Sequence, residues 1–344
     1  MPQTYVFSLS QVMTHGVIPL CHSRESGNPV ILPELIEKLQ HTGEKTMTCA
    51  VENDGMHYEG NCIRPPSEAF SILLQVTVGC SHNKCTFCSA YKGERFKIKD
   101  DHIILSDILF ASRYMQRQNK LFLMDGDALI IPQKRLMWIL DRIKEHLPWV
   151  KRVGAYANAK SIRMKTLDEM KQLKENGLGI LYMGVESGDD KTLKETCKGT
   201  TPQNLIAMGK KVKEAGIKLS VTVLLGIAGK ERSIHHAKVT GELLSAIDPE
   251  YVGALTVMIV PGTQLYEDYG SGKFELPTEK GMLLELREML ANTNLSRGLF
   301  FSNHASNYLP IKARLPRGKQ EAIDLIDHAL AGEIALKPEW MRGL

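Results

Sequence analysis

The chain has 344 residues and a formal net charge of +4, and 43% of its residues are hydrophobic. This apolar content excludes a wholly disordered chain, and the length fits one large domain or two ordinary ones. The small net charge gives no reason to expect a nucleic-acid partner. The sequence has no unbroken apolar run of about 18 residues, so we expect no membrane span.

Residues 1–55 differ in pattern from the rest of the chain. They carry three basic and six acidic side chains, hence a net charge of −3, and lack a regular alternation of strands and helices. Residues 21–29 resemble the peptide that results when bacterial intergenic palindromic repeats are translated. We therefore predict that residues 1–55 are an N-terminal extension, poorly ordered or mis-annotated, and that the natural start is Met56 or Met47. The alternatives are a small N-terminal domain and a signal peptide, which would need basic residues before Arg24.

From residue 58 onward, six strand-like apolar runs alternate with amphipathic helix patterns. The runs cover residues 72–78, 121–131, 150–157, 179–185, 219–227 and 252–260. Near-continuous apolar strands that alternate with helices predict a parallel sheet covered by helices. Six units rather than eight predict an α/β fold of the partial (β/α)6 TIM-barrel type. We assign this barrel to residues 56–265, and we assign a C-terminal helical extension that covers the barrel to residues 266–344.

Three cysteines lie in one polar loop directly after the first run. Cys80, Cys85 and Cys88 have the spacing C-x4-C-x2-C. Clustered thiolates bind soft metals and iron–sulfur centres, whereas structural cysteines of a core have no reason to gather in a polar loop. An alternative is a zinc-binding structural or interaction protein that uses the three cysteines and His82, although zinc sites favour two paired ligand knuckles in a small ribbon. The other four cysteines are scattered, which favours a reducing cytoplasm over a secreted disulfide framework.

Small, polar or charged residues follow each of the other five predicted strands. Functional residues of βα folds gather at the carboxyl ends of the strands, so these residues are expected to share one rim with the cysteines. They are Asp125, Gly126 and Asp127, then Asn158, Lys160 and Ser161, then Glu186 and Ser187, then Gly226 and Gly229, and finally residues 261–263.

Together, the cysteine loop and these rim residues resemble the radical S-adenosylmethionine (radical SAM) superfamily over about residues 70–265. The resemblance implies that the three cysteines ligate three irons of a [4Fe-4S] cluster and that S-adenosylmethionine (SAM) chelates the fourth. An electron from the reduced cluster would then break the SAM sulfonium bond and give a 5′-deoxyadenosyl radical. The chain would thus be an enzyme that acts on an unknown substrate. The usual spacing in this family is C-x3-C-x2-C, so the extra loop residue departs from the best-known subgroups without changing the number of ligands.

The resemblance also implies which residues contact the ends of the SAM molecule. Phe87 stands at the aromatic position whose backbone lies near the adenine. Residues 125–127 stand where the family's Gly-Gly-Glu motif binds the SAM amino group, although they could also form an ordinary strand-end turn. Gly226 and Gly229 match the glycine-containing motif of the fifth strand, which lets the backbone approach the adenine.

Two further groups of rim residues are assigned in the same way. Asn158, Lys160 and Ser161 are candidates for binding the SAM carboxylate, or they belong to a solvated loop. Glu186 and Ser187 follow the fourth strand, where members of the family contact the ribose and the methionine part of SAM.

A second polar cluster lies in the predicted extension, at residues 303–310. His304 in this cluster could exchange a proton with a substrate, or the segment could be a turn whose side chains bond one another. We expect a small or medium-sized substrate, an electron donor such as flavodoxin or ferredoxin, and neither a membrane nor a nucleic-acid partner.

The position of the natural start can be tested directly. If it is Met56 or Met47, mass spectrometry of the protein isolated from its own cells will detect no peptide from residues 1–40. Peptides from that segment, at the abundance of those from the barrel, would contradict the prediction.

Overall fold

The computed structural model describes residues 55–343 and, before them, only four short strands. These are β1 (Thr4–Ser8), β2 (Cys21–His22), β3 (Pro29–Val30) and β4 (Thr46–Ala50). The chain divides into two compact units, Met1–His57 and Tyr58–Leu344. In the first unit β1 pairs antiparallel with β4, and β2 pairs antiparallel with β3. Most of the predicted N-terminal extension, residues 1–55, lies outside the described residues.

The second unit is organised around an eight-stranded sheet. Its spatial order is β14-β13-β12-β11-β10-β9-β8-β5, and all neighbours are parallel except the antiparallel pair β13–β14. A separate antiparallel pair, β6 with β7, follows β5. The strands are β5 (Ile72–Gln75), β6 (Thr77–Val78), β7 (Lys97–Ile98), β8 (Lys120–Met124), β9 (Arg152–Ala157), β10 (Leu178–Glu186), β11 (Lys218–Leu225), β12 (Tyr251–Thr256), β13 (Gly298–Phe301) and β14 (Lys312–Leu315).

Ten described α-helices connect and flank these strands. Several begin at side-chain caps that the sequence itself supplies, such as Thr201 before Pro202 and Thr166 with Glu169 in a capping box. The helices are α1 (Asp101–Tyr114), α2 (Gln133–His146), α3 (Ala159–Met164), α4 (Leu167–Glu175), α5 (Asp190–Glu195), α6 (Pro202–Glu214), α7 (Gly229–Ile247), α8 (Gln264–Gly270), α9 (Glu279–Asn292) and α10 (Lys319–Leu330). None of the described helices is long and apolar enough to cross a membrane.

The predicted α/β class is confirmed, because the sheet is mostly parallel and its strands alternate with helices. All six predicted strands are present, although the first run is divided between β5 and β6. The second run leaves the sheet at Met124 and continues into the short 3₁₀ turn Ala128–Ile130. The C-terminal extension contains helices, as predicted, and also β13 and β14, which widen the sheet at its far edge.

The two faces of the sheet differ in exposure. Successive side chains of a strand point to opposite faces, and along β11 and β12 buried residues alternate with half-buried ones. The buried set contains outward-facing aliphatic side chains such as Val221, Val223 and Val252, which lie beneath the helices. The half-buried set therefore lines the concave face of the sheet, and it includes Tyr156, Ser220, Thr222, Tyr251, Gly253 and Leu255.

A close contact between two helices gives a test of the packing. A Cβ atom added to Gly241 in α7 would lie 2.6 Å from the carbonyl oxygen of Met289 in α9. Gly241→Ala is therefore expected to destabilise the protein by about 1–3 kcal/mol, since overpacking outweighs the better helix propensity of alanine. The melting temperature measures this loss.

Gly270→Ala is the matched control. An added Cβ at this helical glycine would meet no atom within 4 Å. Its melting temperature should stay the same or rise slightly, and equal melting temperatures for the two variants would contradict the packing.

Candidate functional site

The loop of residues 79–91, which carries the three cysteines, is held by two other parts of the unit. The N–H of Thr86 donates to the carbonyl oxygen of Thr196 at 3.1 Å, and the N–H of Leu265 donates to the carbonyl oxygen of Thr86 at 3.0 Å. Within the loop, Asn83 has a left-handed φ of 42° and donates its side-chain amide to the Tyr91 carbonyl at 2.8 Å. Segments that follow β10 and β12 thus fix a loop that follows β6.

Cys80, Cys85 and Cys88 are half-buried free thiols. Burial raises the pKa of Cys85 to about 11, although the charge of Lys198 acts in the opposite direction. Burial also raises the pKa of Cys88. The charges of Cys80 and Cys88 add to this rise in the pKa of Cys85. Three free thiols in one loop are a suitable donor set for an iron–sulfur cluster, and a bound metal displaces their protons.

A single metal ion fits this arrangement less well. In residues 55–343, no three His, Cys, Asp or Glu side chains are grouped closely enough to hold one ion. His82, the fourth ligand in the zinc hypothesis, directs its Nε2 atom to the carbonyl oxygen of Cys197 at 2.7 Å. The zinc hypothesis therefore gains no support.

Gly126 marks the point where the loop after β8 meets the cysteine loop. An added Cβ would lie 2.8 Å from the Tyr91 ring, 3.0 Å from the Cβ of Cys80 and 3.1 Å from the carbonyl oxygen of Gly79. Glycine is thus required here because the two loops touch, and this contact brings the predicted residues 125–127 beside the cysteines.

Asp125 stabilises this contact between the two loops. Its carboxylate accepts hydrogen bonds from the Gln75 amide at 2.6 Å, the Ile63 N–H at 3.1 Å and the Tyr91 hydroxyl at 3.3 Å. Burial raises the pKa of Asp125, while these hydrogen bonds favour the ionised form. Both carboxylate oxygens of Asp125 already accept hydrogen bonds, so this residue holds the loop after β8 in place.

Asp127 differs because one of its oxygens is free. Its Oδ2 accepts from the Ser81 hydroxyl at 2.5 Å and the Asn158 amide at 2.8 Å, while the buried Oδ1 has no partner. The nearby Ser161 hydroxyl donates to the Asn158 carbonyl at 3.0 Å, within the capping box of α3, and also lies beside Asp127. Burial raises the pKa of Asp127 to about 6. Lys160, predicted with this group, is exposed on the same helix.

Glu186 forms an ion pair that the sequence did not reveal. The Nζ atom of Lys198 donates to its Oε1 at 2.8 Å. Burial acts to lower the pKa of Lys198, but the charges of Glu186, Cys85 and Cys80 outweigh this effect and raise it. A cation therefore stands between a carboxylate and the cysteine loop. Lys198 is one of several lysines between residues 191 and 198, and no local pattern distinguishes it.

Phe87 lies at the far side of the cysteine loop and packs on an apolar cluster at the ends of β11 and β12. This cluster contains Leu224, Ile227, Val257 and Leu265. The predicted aromatic position is thus next to the turn that follows β11.

That turn contains both predicted glycines, and both have positive φ values. Gly226 has a φ of 81° and Gly229, at the start of α7, a φ of 71°. The N–H of Gly226 donates to Oε1 of Glu285 at 2.7 Å, and an added Cβ would lie 2.4 Å from the Met282 side chain. Helix α9 therefore supports the turn from behind.

Ser187 is also buried and is hydrogen-bonded within the protein. Its hydroxyl lies 2.8 Å from Nδ1 of His236 and accepts from the N–H of Asp189 at 2.9 Å. Its hydrogen-bonding capacity is used within the protein.

His304 lies in a turn whose side chains bond one another, which is the alternative stated above. Its Nδ1 accepts from the N–H of Ser306 at 3.2 Å and lies 3.0 Å from the Ser306 hydroxyl. Burial lowers the pKa of His304, and the charge of Lys337 adds to this effect. Asn307 ties the turn to β12 by donating to the Ala254 carbonyl at 2.8 Å.

Residues 74–236 match the sequence model of the radical SAM superfamily. This part of the chain is a radical SAM domain. The match confirms the predicted superfamily and the prediction of an enzyme whose substrate the sequence does not specify. The superfamily uses a [4Fe-4S] cluster and SAM.

Two relatives resemble this chain at low identity. An uncharacterized protein of Methanocaldococcus jannaschii is 26% identical over 289 residues, which cover 80% of each chain. An uncharacterized methyltransferase of Pyrococcus horikoshii is 26% identical over 202 residues, which cover 57% of this chain and 41% of that protein. This chain thus spans about two fifths of the second relative.

Solved structures with similar folds include two radical SAM enzymes. The methyltransferase TsrM from Kitasatospora setae has a TM-score of 0.49 and 15% identity, and the alignment covers 63% of this chain and 41% of that chain. Coproporphyrinogen III oxidase (HemN) from Escherichia coli has a TM-score of 0.46 and 16% identity, with coverage of 64% and 51%.

The carboxyl group of Glu285, behind the turn that contains Gly226 and Gly229, is expected to make the stability of the protein depend on pH. Burial raises its pKa to about 8, so the folded protein holds this proton where the unfolded chain, with a carboxyl pKa near 4.5, has lost it. The folded state therefore loses stability as the pH rises from about 5 to 8. Glu285→Gln keeps an acceptor for the Gly226 N–H and has no proton to lose.

The difference in melting temperature, Glu285→Gln minus the unmodified protein, is expected to increase from pH 5 to pH 8. Burial lowers the pKa of His236 to about 4, and its Nε2 atom lies 3.4 Å from Oε1 of Glu285. Glutamine is as neutral as the protonated carboxyl, so the contribution of His236 changes little between the two proteins. A difference that does not change with pH would show that Glu285 is not protonated in this range.

Proposed function

We propose that Cys80, Cys85 and Cys88 hold a [4Fe-4S] cluster and that SAM binds at the iron that no cysteine occupies. When bound and reduced, such a cluster supplies the electron that breaks a carbon–sulfur bond of SAM and gives a 5′-deoxyadenosyl radical. The observation that carries the proposal is that three free, half-buried thiols lie in one loop of the radical SAM domain, and that this loop touches the loop after β8.

Asp127 and its neighbours would bind the amino group of SAM. The free Oδ1 of Asp127 is a buried acceptor, and an ammonium group would satisfy both its hydrogen bond and its charge. With a pKa of about 6, this carboxyl is ionised at neutral pH. Ser81 and Asn158 hold the other oxygen and so fix the direction of the free one.

Lys198 and Glu186 would bind the opposite side of SAM. Lys198 provides a positive charge within electrostatic range of Cys80 and Cys85, which suits the SAM carboxylate. Glu186 can accept hydrogen bonds from ribose hydroxyls, as carboxylates do in dinucleotide sites. The ion pair between them keeps both side chains in place before SAM arrives.

The adenine would lie between the cysteine loop and the turn after β11. Phe87 provides an apolar surface there, and the glycines at 226 and 229 provide backbone without obstructing side chains. Helix α9 keeps this turn in position through Glu285.

We further propose the setting in which this chemistry takes place. The barrel of residues 56–265 carries the site, residues 266–344 cover it, and a small or medium-sized substrate enters the open concave face. A low-potential electron donor such as flavodoxin or ferredoxin would reduce the cluster in a reducing cytoplasm.

Replacement of a single cysteine tests the proposal. Anaerobically reconstituted protein should bind about four irons and, with dithionite and SAM, release 5′-deoxyadenosine. Cys85→Ala removes one ligand and should reduce 5′-deoxyadenosine formation at least about 100-fold, because the cluster is lost.

Cys197→Ala is the matched control, since Cys197 is an exposed thiol whose backbone carbonyl alone contacts the loop. It should keep both iron and SAM cleavage. A colourless protein with one zinc and no iron after reconstitution would overturn the proposal. Release of S-adenosylhomocysteine without 5′-deoxyadenosine would point to polar methyl transfer instead.

A further inference from the structure

A cleft of about 410 Å³ lies at one edge of the sheet. Its lining comes from residues 67–71, directly before β5, and from residues 117–120, which lead into β8. These strands are parallel neighbours, with Ile72 opposite Leu121, so both segments lie at the amino ends of the strands. A volume of this size is within the range of about 300–1,000 Å³ that is typical of small-molecule sites.

The cleft is separate from the cysteine loop. That loop, and the residues proposed to bind SAM, follow the carboxyl ends of the strands. A strand rises about 3.3 Å per residue, so β8 alone, with five residues, puts about 15 Å between the two edges. A ligand in the cleft would therefore be out of contact with SAM at the other edge.

The cleft has a positive charge. Arg117 and Lys120 line it, and its other lining residues are uncharged. Both cations are exposed, and within the part of the chain that the structure describes neither forms an ion pair with an acidic side chain. Glu68, which is adjacent in sequence to the lining residues, is buried and bonded to Arg152 and to the Ser71 hydroxyl. Its negative charge is thus already compensated.

Neighbouring residues strengthen this positive potential. In the parallel pair of β8 and β9, Lys120 lies opposite Arg152. The N–H of Lys151, whose side chain is exposed, donates to the carbonyl oxygen of Asn119 at 2.9 Å. The start of β9 therefore adds cations beside the cleft, and among the described residues only Arg152 of this group is paired with an acid.

Phe70 gives the cleft an aromatic wall. This residue is 91% exposed although it lines the cleft, so its ring is free to cover a ligand. Ser67 and Asn119 add a hydroxyl and an amide to the lining. An aromatic face beside cationic side chains is the combination by which proteins bind the base and the phosphate of nucleotides.

We propose that this cleft is a second ligand site, which binds a phosphate monoester with a planar ring, a ligand of the size and chemistry of a mononucleotide. A phosphate monoester carries a charge of about −1.5 to −2 at pH 7, which matches Arg117 and Lys120, whereas a carboxylate would leave one cation unmatched. Arginine presents parallel N–H donors to such a group and lysine a point charge. The proposal does not rest on the cluster, because the two sites lie at opposite edges of the sheet.

Binding can be measured on the full chain without turnover, by isothermal titration calorimetry of the anaerobically reconstituted protein. The ligands are uridine 5′-monophosphate (UMP), which shares no base with SAM, then uridine and inorganic phosphate. UMP is expected to bind at least about tenfold more tightly than uridine, and phosphate should displace it. Arg117→Gln and Lys120→Gln should each weaken UMP binding about tenfold, since each removes a charge-assisted contact.

Phe70→Ala separates the ring from the charges. It should weaken UMP binding at least about fivefold and leave phosphate binding unchanged. Lys238→Gln is the matched control, since Lys238 is an exposed lysine on α7, the helix between β11 and β12. It should bind UMP as the unmodified protein does. Cys85→Ala should also bind UMP normally, so the cluster proposal and this one can fail separately.

Several results would overturn the proposal. They are equal binding of UMP and uridine, no detectable binding at millimolar UMP, and unchanged binding in both charge variants. Displacement of UMP by saturating SAM would place UMP at the cysteine loop instead. A dodecauridylate that binds more than about 100-fold more tightly than UMP would assign the cleft to a surface for polyanions rather than to a small ligand.

Discussion

The contact between the cysteine loop and the loop after β8 is the constraint on which the site depends. It is possible only because residue 126 is glycine, whose missing side chain lets the backbone approach Cys80 and Tyr91. The two aspartates on either side of this glycine then have different tasks. Both oxygens of Asp125 accept hydrogen bonds that hold the loops together, whereas one buried oxygen of Asp127 has no hydrogen-bond partner. One tight contact thus joins the three thiols to a buried negative charge, which is the pairing that a cationic cofactor requires.

The two faces of the sheet have different roles: the outer face packs against the helices, and the inner face carries the residues proposed for the chemistry. Side chains that point outward are buried beneath the helices. On the inner face, Phe122, Met124, Ile180 and Tyr182 form a buried cluster, and half-buried side chains such as Tyr156 and Tyr251 pack against it. Charged groups on this inner face form ion pairs at two different heights along the strands. Glu68 pairs with Arg152 near the start of β9, and Glu186 pairs with Lys198 at the strand-end rim. Buried charges are costly unless they are paired, and each of these two pairs neutralises its own charges.

Sequence reasoning could predict the features that local patterns encode. The cysteine spacing, the alternation of strands and helices, and the residues after each strand identified the superfamily and the rim, and all six predicted strands are present. It could not predict features that depend on residues far apart in the chain. Lys198 lies among other lysines and is distinguished only by its contact with Glu186. The strands β13 and β14 have four residues each, too few for a clear alternation, and are stabilised by the edge they join. Residues 61–67 read as a proline-containing lead-in, and only the contacts of Ile63 with Asp125 and of Ser67 with Tyr182 show that they cross from β8 to β10.

The central claim is that three cysteines leave one iron of a cluster open and that SAM occupies it. Electron–nuclear double resonance on the dithionite-reduced protein, with SAM labelled by 15N at the amino group and 17O at the carboxylate, tests this most directly. The account predicts that both labels couple to the spin of the cluster, since both atoms would be bound to the same iron. A reduced cluster whose spectrum is unchanged by SAM, with no coupling to either label, would contradict it.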